Sequence, residues 1–164
     1  AVDFSGLGRF LAMTSNDQIN ALAAARFREL FGAKNVMQLP RGEASSRLET
    51  TWQNRLTGRT LFNPRLTYDF MDTALDQGAV IKATRFSEVF TLDAFRTHYG
   101  DRVHPLFLID GSRIQVLAAD SKINPRAGQL VVSLILPKLA AFPELAPQIQ
   151  TNLNKSPDEN IAVS

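Results

Sequence analysis

The tetrad Thr14-Ser15-Asn16-Asp17 is the stretch of this sequence whose residue types and placing suit a ligand. It follows a short apolar run, RFLAM, and precedes a helical pattern, so it sits where a strand hands over to a helix N-terminus. The first N–H groups of a helix are unpaired and carry partial positive charge, which suits an anion or a ribose. The same residues also read as a helix cap: Ser15 or Asn16 accepts the orphan N–H bonds, and Ser15 with Gln18 matches a capping box. Asn20, one turn in, is placed to bond back toward the strand, because Asn inside a helix is mildly unfavourable without a specific partner. The rest of the chemical inventory is thin. His98 falls near a helix end and His104 precedes Pro105 at a strand start, and these two histidines form no H-x-x-x-H pair. Ser15, Ser45 and Ser46 lack a nucleophile-elbow setting. Gly6-x-Gly8 comes before a strand and has Leu11 where a dinucleotide fingerprint needs its third glycine, so it reads as a turn. Acidic residues are scattered through helix first turns and loops. The expectation is no enzyme, no catalytic residues and no metal site.

The elements that position the tetrad form a strand-helix-strand unit. Ile19, Leu22, Ala23, Phe27, Leu30 and Phe31 recur at three- and four-residue spacing, predicting an amphipathic helix stopped by Gly32. Residues 35–39, NVMQL, read as a second strand parallel to the first, since such crossovers join parallel strands. Ligands of open α/β sheets lie at the carboxyl ends of the strands, which is where the tetrad and Arg41 stand. Residues 40–46 are small and polar, a linker. Residues 47–57 read as a short helix carrying Trp52 and Leu56, ended by Gly58, and LFNPRL as an extended or turn segment. Thr67 caps a helix over 67–77 with Phe70, Met71, Ala74 and Leu75 as its apolar stripe. Residues 79–86 are a strand, Thr91 caps a helix ended by Gly100, and Asp110-Gly111 turns a hairpin between 104–110 and 112–117. Residues 123–128 turn and 129–136 form a last strand. Residues 79–136 thus read β-α-β-β-β.

The chain has 164 residues, 45% hydrophobic and 21% charged, a globular composition. A net charge of +2 without a Lys/Arg block argues against a nucleic-acid partner. No cysteine is present, which excludes disulfides and thiolate metal sites. No apolar run approaches the roughly 18–20 residues that span a bilayer, and no signal peptide is evident. The chain begins at Ala1 without Met, and we expect it to be a piece of something longer.

Two stretches carry a family likeness. LAMTSNDQINALAAARFRELFGAKNVMQL resembles the second half of the TrkA-N, or N-terminal RCK, nucleotide-binding domain. AVIKATRF through HPLFLIDGSRIQVLAADSKINPRAGQLVVSLI resembles the C-terminal RCK module, whose closing signature is met by Pro125, Gly128 and Gln129, with Leu130 one place early. The order of the two is similar to the cytoplasmic tail of bacterial NhaP-like monovalent cation/proton antiporters, and the likeness covers residues 4–136. It implies an α/β fold: a partial Rossmann-like unit (1–46), crossover helices and linker (47–78), a TrkA-C-like α+β module (79–136) and a partly disordered C-terminal arm (137–164). It implies a regulatory, ligand-sensing and dimerising domain at the cytoplasmic face of the inner membrane, attached to the transport domain of the same protein. Nucleotide or effector contacts would fall on Thr14, Ser15, Asn16, Asp17 and Arg41. The family's glycine-rich phosphate loop and ribose-binding acid have no counterpart here. NAD(H) or an adenine nucleotide is therefore expected only with an upstream half, and no cofactor in this chain. A dimer interface is expected on Trp52, Leu56, Leu61, Phe62, Leu66 and Tyr68, with residues 9–31 contributing, because RCK-like domains pair; the alternative is that these residues fold back onto the strand-helix-strand unit and complete one monomeric core. The alternatives are a fragment of a nucleotide-dependent oxidoreductase and a ligand-free oligomerisation module.

Overall fold

The computed structural model describes residues 7–42 and 58–138. The readings of Gly6, Ser45, Ser46, Trp52, Leu56, the helix over 47–57 and the arm beyond 138 lie outside these residues. The fold is mixed α/β, with a parallel sheet of three strands and an antiparallel sheet of four. The parallel sheet holds β1 (Phe10–Ala12), β2 (Val36–Gln38) and β3 (Arg59–Thr60), in that order. Helix α1 (Asp17–Phe31) crosses from β1 to β2 as expected, and Phe10 pairs with Val36 and Ala12 with Gln38. β3 adds a strand the sequence reading did not contain. Gly58 permits it, because a Cβ there would lie 3.0 Å from the Val36 carbonyl oxygen.

The predicted stripe of α1 requires a correction. Asn20 and Ala24 are its buried residues, and Phe27 stacks on Phe10 of β1 with ring centroids 4.2 Å apart. Ile19, Leu22 and Leu30 are 54%, 72% and 57% exposed. The inward face runs through Asn20, Ala24, Phe27 and Phe31, because the bonds of Asn20 to the end of β1 fix the rotation of the helix about its axis. An apolar ridge is left outside.

After β3 the chain turns at Leu61 and Phe62 into α2 (Tyr68–Asp76), whose N-cap is Thr67 accepting from Phe70 N–H. Leu75 is 45% exposed, so it drops out of the predicted stripe, while Ala74 is fully buried. The antiparallel sheet then holds β4 (Val80–Arg85), β5 (Val103–Asp110), β6 (Arg113–Val116) and β7 (Leu130–Ile135), in the order β4-β7-β5-β6. Helix α3 (Leu92–Tyr99), capped by Thr91, lies between β4 and β5 in sequence. Gly111 closes the β5-β6 hairpin at φ 57°, as the Asp-Gly signal predicts. Pro105 sits inside β5 at a register shift against β7, where a strand tolerates its missing N–H.

β7 is buried on both faces, and its sequence, LVVSLI, is apolar at every position but Ser133. Val131 and Ile135 join Phe86, Phe95 and Tyr99 in a cluster with α3. Leu134, with Leu136 beyond the strand, joins Met37, Leu39, Leu61, Phe62, Leu66, Ala74 and Leu106 in a second cluster that draws on both sheets. This placement corrects the interface reading for Leu61, Phe62 and Leu66, which are 0%, 5% and 0% exposed within a single chain. Tyr68 packs on the same core. The reason is geometric: the segment that leaves β3 runs between the sheets. Leu61 N–H donates to the Gln38 carbonyl at 2.8 Å, Phe62 N–H to the Leu117 carbonyl at 2.8 Å, and Ala119 N–H to the Thr60 carbonyl at 2.9 Å. Phe62 holds φ 61°, an unusual conformation for a bulky side chain, and its ring meets Phe107 edge-on at 5.5 Å. Among the described residues no helix is long and apolar enough to cross a membrane.

Candidate functional site

The tetrad lies at the carboxyl end of β1, as its position predicts. Asn16 is the N-cap, and its Oδ1 accepts from the N–H groups of Gln18 and Ile19, both at 3.0 Å. Ser15 is exposed and makes neither cap bond, so the Ser15–Gln18 capping box is corrected to an Asn16 cap. The reach of Asn20 back to the strand is fully formed. Its Oδ1 accepts from Thr14 N–H at 3.0 Å and from Thr14 Oγ1 at 2.8 Å, and its Nδ2 donates to the Thr14 carbonyl at 2.8 Å. Asp17 Oδ2 accepts from Gly42 N–H at 2.9 Å, which ties the helix start to the segment after β2. Thr14, Asn16, Asp17 and the 41–42 segment are thus brought to one edge, with Arg41 next to the tied Gly42.

The bonding decides what this edge can do. The N–H groups of Gln18 and Ile19 are taken by Asn16 Oδ1, and that of Asn20 bonds the Asn16 carbonyl at 3.0 Å. The Gln18 and Ile19 donors would otherwise face a phosphate, whereas the Asn20 bond is the first ordinary bond of the helix. The turn is therefore built to hold α1 against β1. Asn20→Ala is expected to lower stability by about 1–3 kcal/mol, since it removes three bonds made by a side chain 1% exposed. Asn20→Asp, which keeps the Oδ1 acceptor but loses the donor to Thr14, should not restore it. Urea denaturation of the three proteins checks both statements.

A second constellation was missed by the sequence reading. A cleft of about 560 Å³ opens at the amino edge of the parallel sheet, opposite the tetrad, where β6 faces it. Its charged lining is Arg9, Lys34, Arg59 and Arg113. Arg9 Nη1 donates to the Ile114 carbonyl across the cleft at 2.9 Å. Arg59 Nη2 donates to Asp120 Oδ1 at 2.6 Å and holds that carboxyl below the usual carboxylate range. The four cations come from four separate segments, so no local motif announces them.

His104 lies by a smaller cleft of about 300 Å³ beside Arg65 and Asp101. It is buried, and its ring meets Phe70 edge-on at 6.2 Å. Burial lowers its pKa from the ordinary 6.5, the Arg65 charge lowers it further, and Asp101 opposes them. The folded chain thus prefers the neutral ring. The unfolded chain takes up a proton first as pH falls, so the contribution of His104 is complete above 6.5 and is lost as pH falls from there through the folded-state value. Denaturation midpoints measured from about pH 7.5 to 5 should fall for the unmutated chain and flatten for His104→Gln.

Among the described residues no group of three His, Asp or Glu could hold a metal ion. Comparison with known proteins adds no identity: no family model matches the chain, and no curated protein matches it.

Proposed function

We propose that this chain is a regulatory, ligand-sensing and dimerising domain from the cytoplasmic side of a membrane sodium (or potassium)/proton antiporter. The supporting observation is the order of its units: a parallel strand-helix-strand unit followed by an antiparallel β-α-β-β-β unit. That is the order in which the TrkA-N-like and TrkA-C-like stretches stand in the family the sequence resembles. Ion exchange would belong to the membrane portion, and this domain would bias it between states through differential affinity for an effector or a partner subunit. Sequencing the gene upstream of the Ala1 codon tests the reading. About ten or more hydrophobic spans of ~20 residues support it. A complete glycine-rich nucleotide-binding half without such spans would replace it with the oxidoreductase reading. The internally bonded turn at 14–17 favours a second reading, a ligand-free oligomerisation module.

Dimerisation in this proposal uses the outer face of α1. Ile19, Leu22 and Leu30 form its exposed ridge. Arg26 and Glu29 form an exposed ion pair within it, 3.4 Å apart. A face carrying both signs is complementary to a two-fold copy of itself, as an isologous interface requires. Sedimentation at micromolar concentration is expected to give about twice the 18.2 kDa chain mass, and Leu22→Glu a species of one chain mass. A single-chain species for the unmutated protein would remove dimerisation from the proposal.

A further inference from the structure

The basic cleft at the amino edge of the parallel sheet fits a ligand that the proposed function does not name. Its location is opposite to the carboxyl edge where α/β sheets usually bind. Its charges are unbalanced: Arg9, Lys34, Arg59 and Arg113 line it, and among the described residues the one carboxylate bonded to them is Asp120, held by Arg59. Two of the four are already committed. Arg9 spans to the Ile114 carbonyl, and Arg59 divides its donors between Asp120 and the Lys34 carbonyl at 3.4 Å. The side chains of Lys34 and Arg113 have no hydrogen-bond or ion-pair partner among the described residues. The cleft therefore presents uncommitted cationic donors between walls already fixed by the other two.

The lining is not wholly polar. Met37, Ile114 and Val116 contribute apolar surface, and Met37 is buried. A volume of about 560 Å³ lies within the ~300–1,000 Å³ of small-molecule sites. It is more room than a bare inorganic anion uses. Guanidinium and ammonium groups converging on one concavity favour phosphate, which Arg meets with paired N–H donors.

We propose that this cleft binds a phosphorylated small molecule, with the phosphate held by Lys34 and Arg113 and an apolar or planar body against Met37, Ile114 and Val116. This inference does not rest on the antiporter reading, because binding is measured on the chain itself whatever precedes it in the gene.

Titration calorimetry of the full chain with phenyl phosphate and with inorganic phosphate tests it. Phenyl phosphate should bind saturably at one site and more tightly than inorganic phosphate. Arg113→Ala and Lys34→Ala should each weaken it by about tenfold, and raised salt should weaken it further. Lys82→Ala, which removes a charge on β4 outside the cleft lining, should leave binding unchanged. Both cleft side chains are exposed and unpartnered among the described residues, so thermal midpoints equal to that of the unmutated chain are expected for Arg113→Ala and Lys34→Ala and exclude misfolding as the cause. Vesicles distinguish the source of the phosphate. Binding to phosphatidylglycerol but not phosphatidylcholine vesicles, displaced by phenyl phosphate and lost in Arg113→Ala, would assign the same site to a lipid headgroup. No saturable binding, equal affinity for the two phosphates, or unchanged affinity in both cleft variants would overturn the inference.

Discussion

Leu66→Ala is expected to lower the stability of the chain by about 2–5 kcal/mol, the range for truncating a buried leucine. Leu66 is 0% exposed and shares its cluster with Met37 and Leu39 near the parallel sheet and with Leu106 and Leu134 of the antiparallel sheet. The size of the loss depends on how far the site can collapse. Here both sheets are hydrogen-bonded through the segment that carries Leu61 and Phe62, which restricts collapse. The experiment also separates core from interface. A residue buried within one chain loses the same free energy at any protein concentration, whereas an interface residue does so through association. Urea midpoints of Leu66→Ala at two concentrations a hundredfold apart should show the same displacement from the unmutated chain. A displacement that changes with concentration would return Leu66 to an interface.

Phe95→Ala should cost about 3–5 kcal/mol, as aromatic truncations in cores do. Phe95 is 1% exposed at the inner face of α3. Its ring lies 5.3 Å from Phe86, 5.1 Å from Tyr99 and 6.4 Å from Phe90, at tilted or edge-on angles that suit the ring quadrupoles. Those three pairs are lost together, so the site depends on one side chain more than the Leu66 cluster does. Phe95→Leu keeps most of the apolar volume and should recover part of the loss while leaving the ring contacts broken. Thermal unfolding of the two variants checks the order. A midpoint for Phe95→Ala within a degree of the unmutated protein would contradict the packing described.

The features legible in the sequence are local ones. Thr67 and Thr91 were readable as caps because a cap is decided by one side chain and the N–H three residues on. Asn20 was readable as a bond back to β1 because a polar residue one turn inside a helix needs a reason to be there. The Asp110-Gly111 hairpin was readable because the turn demands a residue that accepts positive φ. The features that escaped are decided by distant partners. β3 is two residues long, Arg59 and Thr60, and has no apolar pattern; β2 makes it a strand. Leu61, Phe62 and Leu66 look like free hydrophobic surface until the second sheet is placed over them. Phe27 and Phe31 of the α1 stripe do turn inward, while Ile19, Leu22 and Leu30 do not, because the helix has two apolar faces and periodicity alone does not say which one is buried. The carboxyl-edge tetrad was legible as a place, while the satisfaction of its donors was not. The basic cleft left no trace in the sequence, because Arg9, Lys34, Arg59 and Arg113 meet only after both sheets have formed.

The pairing of residues 60–62 with 117–119 has a bearing on how such a chain can change over evolutionary time. Units that each own a private core can be traded between genes at the linker and still work. Here the strand-helix-strand unit and the β-α-β-β-β unit look like two exchangeable cassettes on paper, yet Met37, Leu61, Leu106 and Leu134 sit in one cluster fed from both. A chimera that takes its second cassette from a distant relative would inherit side chains shaped for another neighbour. Its junction would have to be repaired at Leu61, Phe62 and Leu117 before anything else. The two cassettes are therefore bound to vary in step, with paired substitutions across the seam and the greatest freedom far from it, at the exposed positions of β4.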